Sequence, residues 1–147
     1  MPMRVDYGKV APQAMTALGG VHKYLNDASI DRRLRALVEM RVSQINGCAY
    51  CMDLHSNEAR EVGESQQRLD VLGAWRETEF FSEREKAALA WAEAVTKQGH
   101  EHIPDDLLAE TLKHFSEKEI VDLTVIIAMM NAWNRIAVPL RKTIAKR

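Results

Sequence analysis

Apolar residues recur along most of this chain at intervals of three and four, the spacing that gathers them on one face of an α-helix, and no segment alternates apolar and polar residues as a half-buried strand would. The clearest stripe is Ile30, Leu34, Leu37, Val38, Val42 and Ile45, which predicts a helix with Ser29 as its N-cap. Asn46-Gly47 is expected to end it, since either residue tolerates a left-handed backbone. A second helix is expected to open close to Cys48 and run to about Val62, with Gly63 closing it. Residues 65–72 predict a short helix. Ser82-Glu83-Arg84-Glu85 and Ser116-Glu117-Lys118-Glu119 have capping-box spacing and introduce two longer ones, the first with Ala88, Trp91, Ala92 and Val95 on its apolar side. Pro104 suits the first turn of another, with Asp105 and Asp106 near its positive end. Pro139 predicts a kink or an end in the last helix. The expected architecture is all-α, a single domain over residues 1–147.

Within that last helix, Val125 to Met130 is apolar on every side. Such a segment needs burial all round, in a core or against another subunit, so a homo-oligomer packed through helices is expected. The 147 residues suit one domain, and 46% hydrophobic with 28% charged residues is ordinary for a globular chain. A net charge of -1 argues against broad attraction to nucleic acid or to acidic membranes. Val125 to Met130 is also the longest apolar run, well short of the roughly 18 residues a bilayer span needs. With no secretory-type apolar run at the start, a cytoplasmic location is expected. A Cys-x-x-Cys pair in a reducing compartment points to redox or metal chemistry before a structural staple.

That pair lies in Cys48-Ala49-Tyr50-Cys51-Met52-Asp53-Leu54-His55. Cysteine reacts as thiolate, and a free thiol with a pKa of about 8.5 is ionised only to a few per cent at pH 7. Three features here favour the anion. Both cysteines fall in the first turn of the expected helix, where unpaired amides and the helix dipole attract negative charge. His55, four residues after Cys51, shares its face and can accept its proton. The second thiol can hydrogen-bond the thiolate and later attack it once oxidised. The pattern therefore suits hydroperoxide reduction: Cys51 takes the outer oxygen and becomes a sulfenic acid, Cys48 condenses with it to a disulfide, and an external dithiol reduces the disulfide. His55 serves as base toward Cys51, and Glu39 can orient it or relay protons.

This stretch resembles the AhpD-like alkylhydroperoxidases of the carboxymuconolactone decarboxylase superfamily, marked by Cys-x-x-Cys-x-x-x-His after a helix bearing a glutamate. The likeness includes Ser43-Gln44-Ile45-Asn46-Gly47, Glu58-Ala59-Arg60, Gly63, the run from Glu85 to Thr96, and Asn131-Ala132-Trp133-Asn134-Arg135, and is strongest over about residues 35–100. The resemblance implies an all-helical fold, subunits assembling as dimers, trimers or hexamers, no prosthetic group or metal, and a thioredoxin- or lipoyl-type reductant. It implies that Cys51 meets the peroxide and that Cys48 resolves. Tyr50, which can position substrate or simply pack, stands where the characterised enzymes carry histidine. Glu39 precedes Cys48 by nine residues, a shorter interval than theirs.

Other readings compete. The cysteines pack inertly in a buried pair, or bind zinc with His55 and a fourth ligand from His100 or His102. His100-Glu101-His102 reads first as a solvated loop, His22 and His114 as surface or otherwise satisfied histidines, and Trp75, Trp91 and Trp133 as core or interface. At the level of function, a decarboxylase or lactone-processing enzyme and a non-enzymatic redox sensor are the alternatives.

Overall fold

Capping chemistry sets where most of the helices begin. The computed structural model describes residues 1–146, leaving the last residue of the expected domain, Arg147, outside. It contains helices α1 (Tyr7–Val10), α2 (Pro12–Asn26), α3 (Arg32–Ile45), α4 (Ala49–Glu61), α5 (Gln66–Val71), α6 (Glu83–Lys97), α7 (Asp105–Thr111) and α8 (Glu117–Leu140), with a 3₁₀ segment, Leu72–Glu77, after α5. No strand occurs among the described residues. Ser82 and Ser116 form the two expected capping boxes, and Ser65 caps α5. Pro104 sits at the N-cap of α7, one residue before its first turn. Pro139 lies in the last turn of α8, which ends one residue later.

One expected cap is wrong. The N-cap of α3 is Asp31, whose carboxylate accepts from the Arg33 and Leu34 amides at 3.1 and 3.0 Å. An acidic side chain directly before the first turn suits the positive helix end. Ser29 is drawn away by α8: its amide and hydroxyl donate to Asp122 at 3.0 and 2.7 Å. Apolar spacing does not delimit α2, because Leu25 is its one buried residue.

α3 is the axis of the fold, with α4, α6 and α8 packed around it. On one side Leu34, Val38 and Val42 meet Ala88 and Ala92 of α6 and Leu123, Ile126, Ile127 and Met130 of α8. On the other, Ala36, Leu37 and Met40 meet Leu69, Leu72, Trp75, Phe81 and Leu89. Neighbours on both sides explain why Arg35, Glu39 and Ser43 of α3 are buried although polar. α8 has the length and a mean hydropathy of 1.3 that a membrane span would show, which the search for unbroken apolar runs misses. Here it packs against α2, α3, α4 and α6 as the core helix of the bundle. Of its apolar run, Ile126, Ile127 and Met130 are buried, Val125 and Met129 are half-buried, and Ala128 is exposed.

α8 is tied to the N-terminal part through Asp122, which is fully buried. Its carboxylate accepts from the Tyr24 hydroxyl at 2.6 Å, from Ser29, and from Lys118 at 2.5 and 2.6 Å. Burial alone pushes this carboxyl up, but the bonds from Lys118, Tyr24 and Ser29 outweigh it and hold the group well below the usual carboxylate range. A carboxyl depressed on folding contributes stability that is complete above its unfolded pKa of about 3.9 and drains away as the pH falls toward the folded value. Asp122→Ala is expected to cost about 3 kcal/mol, the worth of one or two hydrogen bonds to a charged group. The urea midpoint of the wild type should fall more steeply below about pH 4 than that of the variant. Parallel pH profiles would contradict this role.

Candidate active site

The site begins where α3 stops. Gly47 takes a left-handed φ of 64°, the Cys48 amide donates to the Ser43 carbonyl at 3.0 Å, and the Gly47 amide to Gln44 at 3.2 Å. This pairing is the Schellman stop, for which glycine carries no side-chain clash. It delivers Cys48 to the N-cap of α4, where its Sγ accepts from the Cys51 amide at 3.3 Å. Cys48 and Cys51 form a disulfide with Cα atoms 5.3 Å apart, and both are buried. The turn is pinned from α8, since the Asn46 side chain donates to the side-chain carbonyls of Asn131 and Asn134 at 2.9 Å each, and Asn134 donates to the Ser43 hydroxyl at 3.3 Å. Two stretches far apart in the chain, 43–47 and 131–135, therefore meet behind the cysteines.

His55 is buried one turn after Cys51. Its Nδ1 lies 2.7 Å from Glu58 Oε2 and 3.4 Å from Glu39 Oε2. Both neighbours are carboxylates, so Nδ1 carries the hydrogen and Nε2 is left as the basic nitrogen of the neutral ring. The bond from His55 holds Glu58 below the usual carboxylate range against the opposing effect of burial, with help from the Arg35 charge. Arg35 Nε donates to the other oxygen of Glu39 at 2.8 Å, while its remaining nitrogens reach Asn26 Oδ1 at 3.2 Å and His22 Nδ1 at 3.0 Å. An arginine can only donate, so His22 Nδ1 accepts.

Cys51, His55, Glu39 and Tyr50 all border one cavity of about 380 Å³, together with His22, Arg35 and Glu58 and the apolar side chains of Leu25, Leu54, Met129, Met130 and Trp133. Of the expected site residues, Cys48 alone is absent from this wall. Glu58, Arg35, His22 and Trp133 are additions. Glu58 could have been found from its position three residues after His55, and Arg35 from its position four before Glu39. His22 carries no such signal; it is exposed and bonded to Arg35, as a surface or satisfied histidine would be, and also borders the cavity. Trp75 and Trp91 are core as expected, whereas Trp133 is half-buried on the cavity wall. The grouping close enough to share a cation among the described residues is Glu39, His55 and Glu58, not the cysteines. The Arg35 guanidinium bonded to Glu39 opposes a cation there. His100 and His102 are exposed between α6 and α7.

An all-helical bundle with a buried Cys-x-x-Cys pair, a histidine one turn on and a glutamate from the preceding helix defines an AhpD-like domain. Residues 11–94, more than half of the chain, match the carboxymuconolactone decarboxylase family, and the chain belongs to it. It is 41% identical to the uncharacterised protein YdfG of Bacillus subtilis (strain 168) across the whole of both chains. It is 30% identical to the uncharacterised protein YnjA of Escherichia coli (strain K12) over 102 residues, 69% of this chain and 56% of that protein. Among solved structures, a protein of unknown function from Agrobacterium tumefaciens, described as a candidate antioxidant defence protein AhpD, superimposes with a TM-score of 0.96 at 38% identity, covering 99% of this chain and 100% of that one. The debrominase Bmp8 shares the fold, with a TM-score of 0.83 at 24% identity over 93% of this chain and 73% of its own.

Proposed function

We propose that this protein is a thiol-dependent hydroperoxide reductase, with Cys51 as the peroxidatic residue, Cys48 as the resolving one and His55 as the base. The observation that carries the reading is His55, whose Nδ1 is held by two carboxylates and which borders the same cavity as Cys51, with Cys48 bonded to that same sulfur. In the reduced protein His55 Nε2 takes the Cys51 proton. The thiolate attacks the outer oxygen of ROOH, the O–O bond breaks, and the departing RO⁻ takes the proton back as ROH. Cys51 is then a sulfenic acid. Cys48 attacks its sulfur, the S–S bond forms, and the hydroxyl leaves as water. A dithiol restores both thiols, so no prosthetic group or metal is needed.

The leucine, methionine and tryptophan walls of the cavity favour an organic R group, held beside Tyr50. A reducing cytoplasm would keep the dithiol supplied. The partly uncovered Val125, Ala128 and Met129 would be covered in a homo-oligomer. The test is direct. Reduced protein treated with cumene hydroperoxide or hydrogen peroxide should lose two thiols per peroxide consumed, and should turn over repeatedly when a dithiol is added. Thiols that survive millimolar peroxide for an hour would overturn the proposal.

A further inference from the structure

The disulfide stands between two cavities. Cys51 borders the one described above, while Cys48 borders a second of about 460 Å³, and neither cysteine belongs to the wall of the other's cavity. Tyr50 and Ala137 border both and form the partition. The second cavity differs in charge. Glu39 and Glu58 line the first, with Arg35 bonded to Glu39, whereas Arg141 and Lys142 line the second with no carboxylate in its wall. Among the described residues, neither Arg141 nor Lys142 has a carboxylate partner. The Lys142 ammonium lies 5.5 Å from the centre of the Tyr50 ring, on the partition itself. The stop of α8 places both: Arg141 adopts a left-handed φ of 54°, and the Lys142 amide returns to the Ala137 carbonyl at 2.9 Å.

We propose that the reducing dithiol enters through this second cavity, that it carries a carboxylate held by Arg141 and Lys142, and that it attacks Cys48 Sγ. The inference rests on the peroxidase reading only in supposing that the disulfide must be reduced in each cycle. The thiolate of the reductant bonds to Cys48 Sγ, the Cys48–Cys51 bond breaks, and its electron pair stays on Cys51 as thiolate. The second thiol of the reductant gives up its proton and attacks the reductant sulfur of the mixed disulfide. Cys48 leaves with the electron pair and takes up a proton, and the reductant departs as a cyclic disulfide. Exchange is faster when the departing sulfur is the better stabilised anion. Cys51, one turn before His55 on the same face of α4, is that sulfur in this cycle, because His55 holds the proton that Cys51 gives up. An anion entering from the other side would meet two carboxylates, Glu39 and Glu58, and one arginine, Arg35, already bonded to Glu39, and would compete with peroxide for space.

Monothiols stop at the mixed disulfide and so report the point of attack. Oxidised protein is treated with 3-mercaptopropionate, 2-mercaptoethanol or cysteamine, quenched in acid, alkylated and mapped by mass spectrometry. The adduct is expected on Cys48 with Cys51 alkylated, and at equal thiolate concentration 3-mercaptopropionate should outpace cysteamine by about tenfold. Arg141→Gln with Lys142→Gln should flatten that preference, and Arg141→Glu with Lys142→Glu should invert it. An adduct on Cys51, or a preference unchanged in both double variants, overturns the inference. Peroxide oxidation of the reduced wild type, recorded beside these, separates the two readings. Absent oxidation with an adduct on Cys48 removes the peroxidase and keeps the entry site, and rapid oxidation with an adduct on Cys51 does the reverse.

Discussion

Cys51→Ser is expected to abolish peroxide-dependent oxidation of a dithiol, whereas Cys48→Ser keeps the first oxidation of Cys51 and stops there. The asymmetry comes from position. Cys51 shares a cavity wall with His55 and the apolar side chains that would receive the substrate, and Cys48 does not. A serine hydroxyl is far too weak an acid to ionise beside an imidazole and cannot take oxygen from a peroxide, so losing Cys51 loses the chemistry outright. Losing Cys48 leaves a sulfenic acid with no thiol behind it. Without added dithiol, a sulfenate-trapping reagent should therefore label Cys48→Ser on Cys51 after peroxide treatment. The same pair separates the alternatives, since a decarboxylase on this fold would survive Cys51→Ser, and a redox sensor would lose its oxidation-dependent change without ever having turned over. Repeated turnover by Cys51→Ser would exclude Cys51 as the peroxidatic residue.

His55→Gln is expected to slow oxidation of Cys51 at pH 7 by about a hundredfold, toward the low end of what a positioned general base contributes. Glutamine can still bond toward Glu58 but cannot accept the thiol proton. The deficit should therefore shrink as the pH rises, because above about pH 9 a thiol with an ordinary pKa near 8.5 ionises without help. Stopped-flow rates across pH 6 to 10 check this. A constant deficit over that range would mean that His55 only holds α4 against Glu39, not that it moves the proton.

Much of this was legible because it is local. Capping boxes at Ser82 and Ser116, the left-handed stops at Gly47 and Gly63, and the sharing of one face by Cys51 and His55 all depend on residues within a turn or two of each other. Ser29 failed as a cap because its partner, Asp122, comes from α8, and no local rule anticipates a competitor so distant in the chain. The place of His22 on the cavity wall was hidden for the same reason, its partner Arg35 being on a different helix.

Taken alone, the order of residues determined an all-helical chain, the starts of α4, α5, α6, α7 and α8, and the placing of two sulfurs and an imidazole at the head of one of them. These follow from backbone periodicity and capping, which act over a few residues. Only the packing of α2, α3, α4 and α8 decided that Glu39 reaches across to His55, that Arg35 also meets His22, and that the two sulfurs face different cavities. Burial sets those relations. Once α3 is enclosed on both sides, its charged groups must find partners on whichever helices lie against it, and the pattern along a single helix does not say which those are.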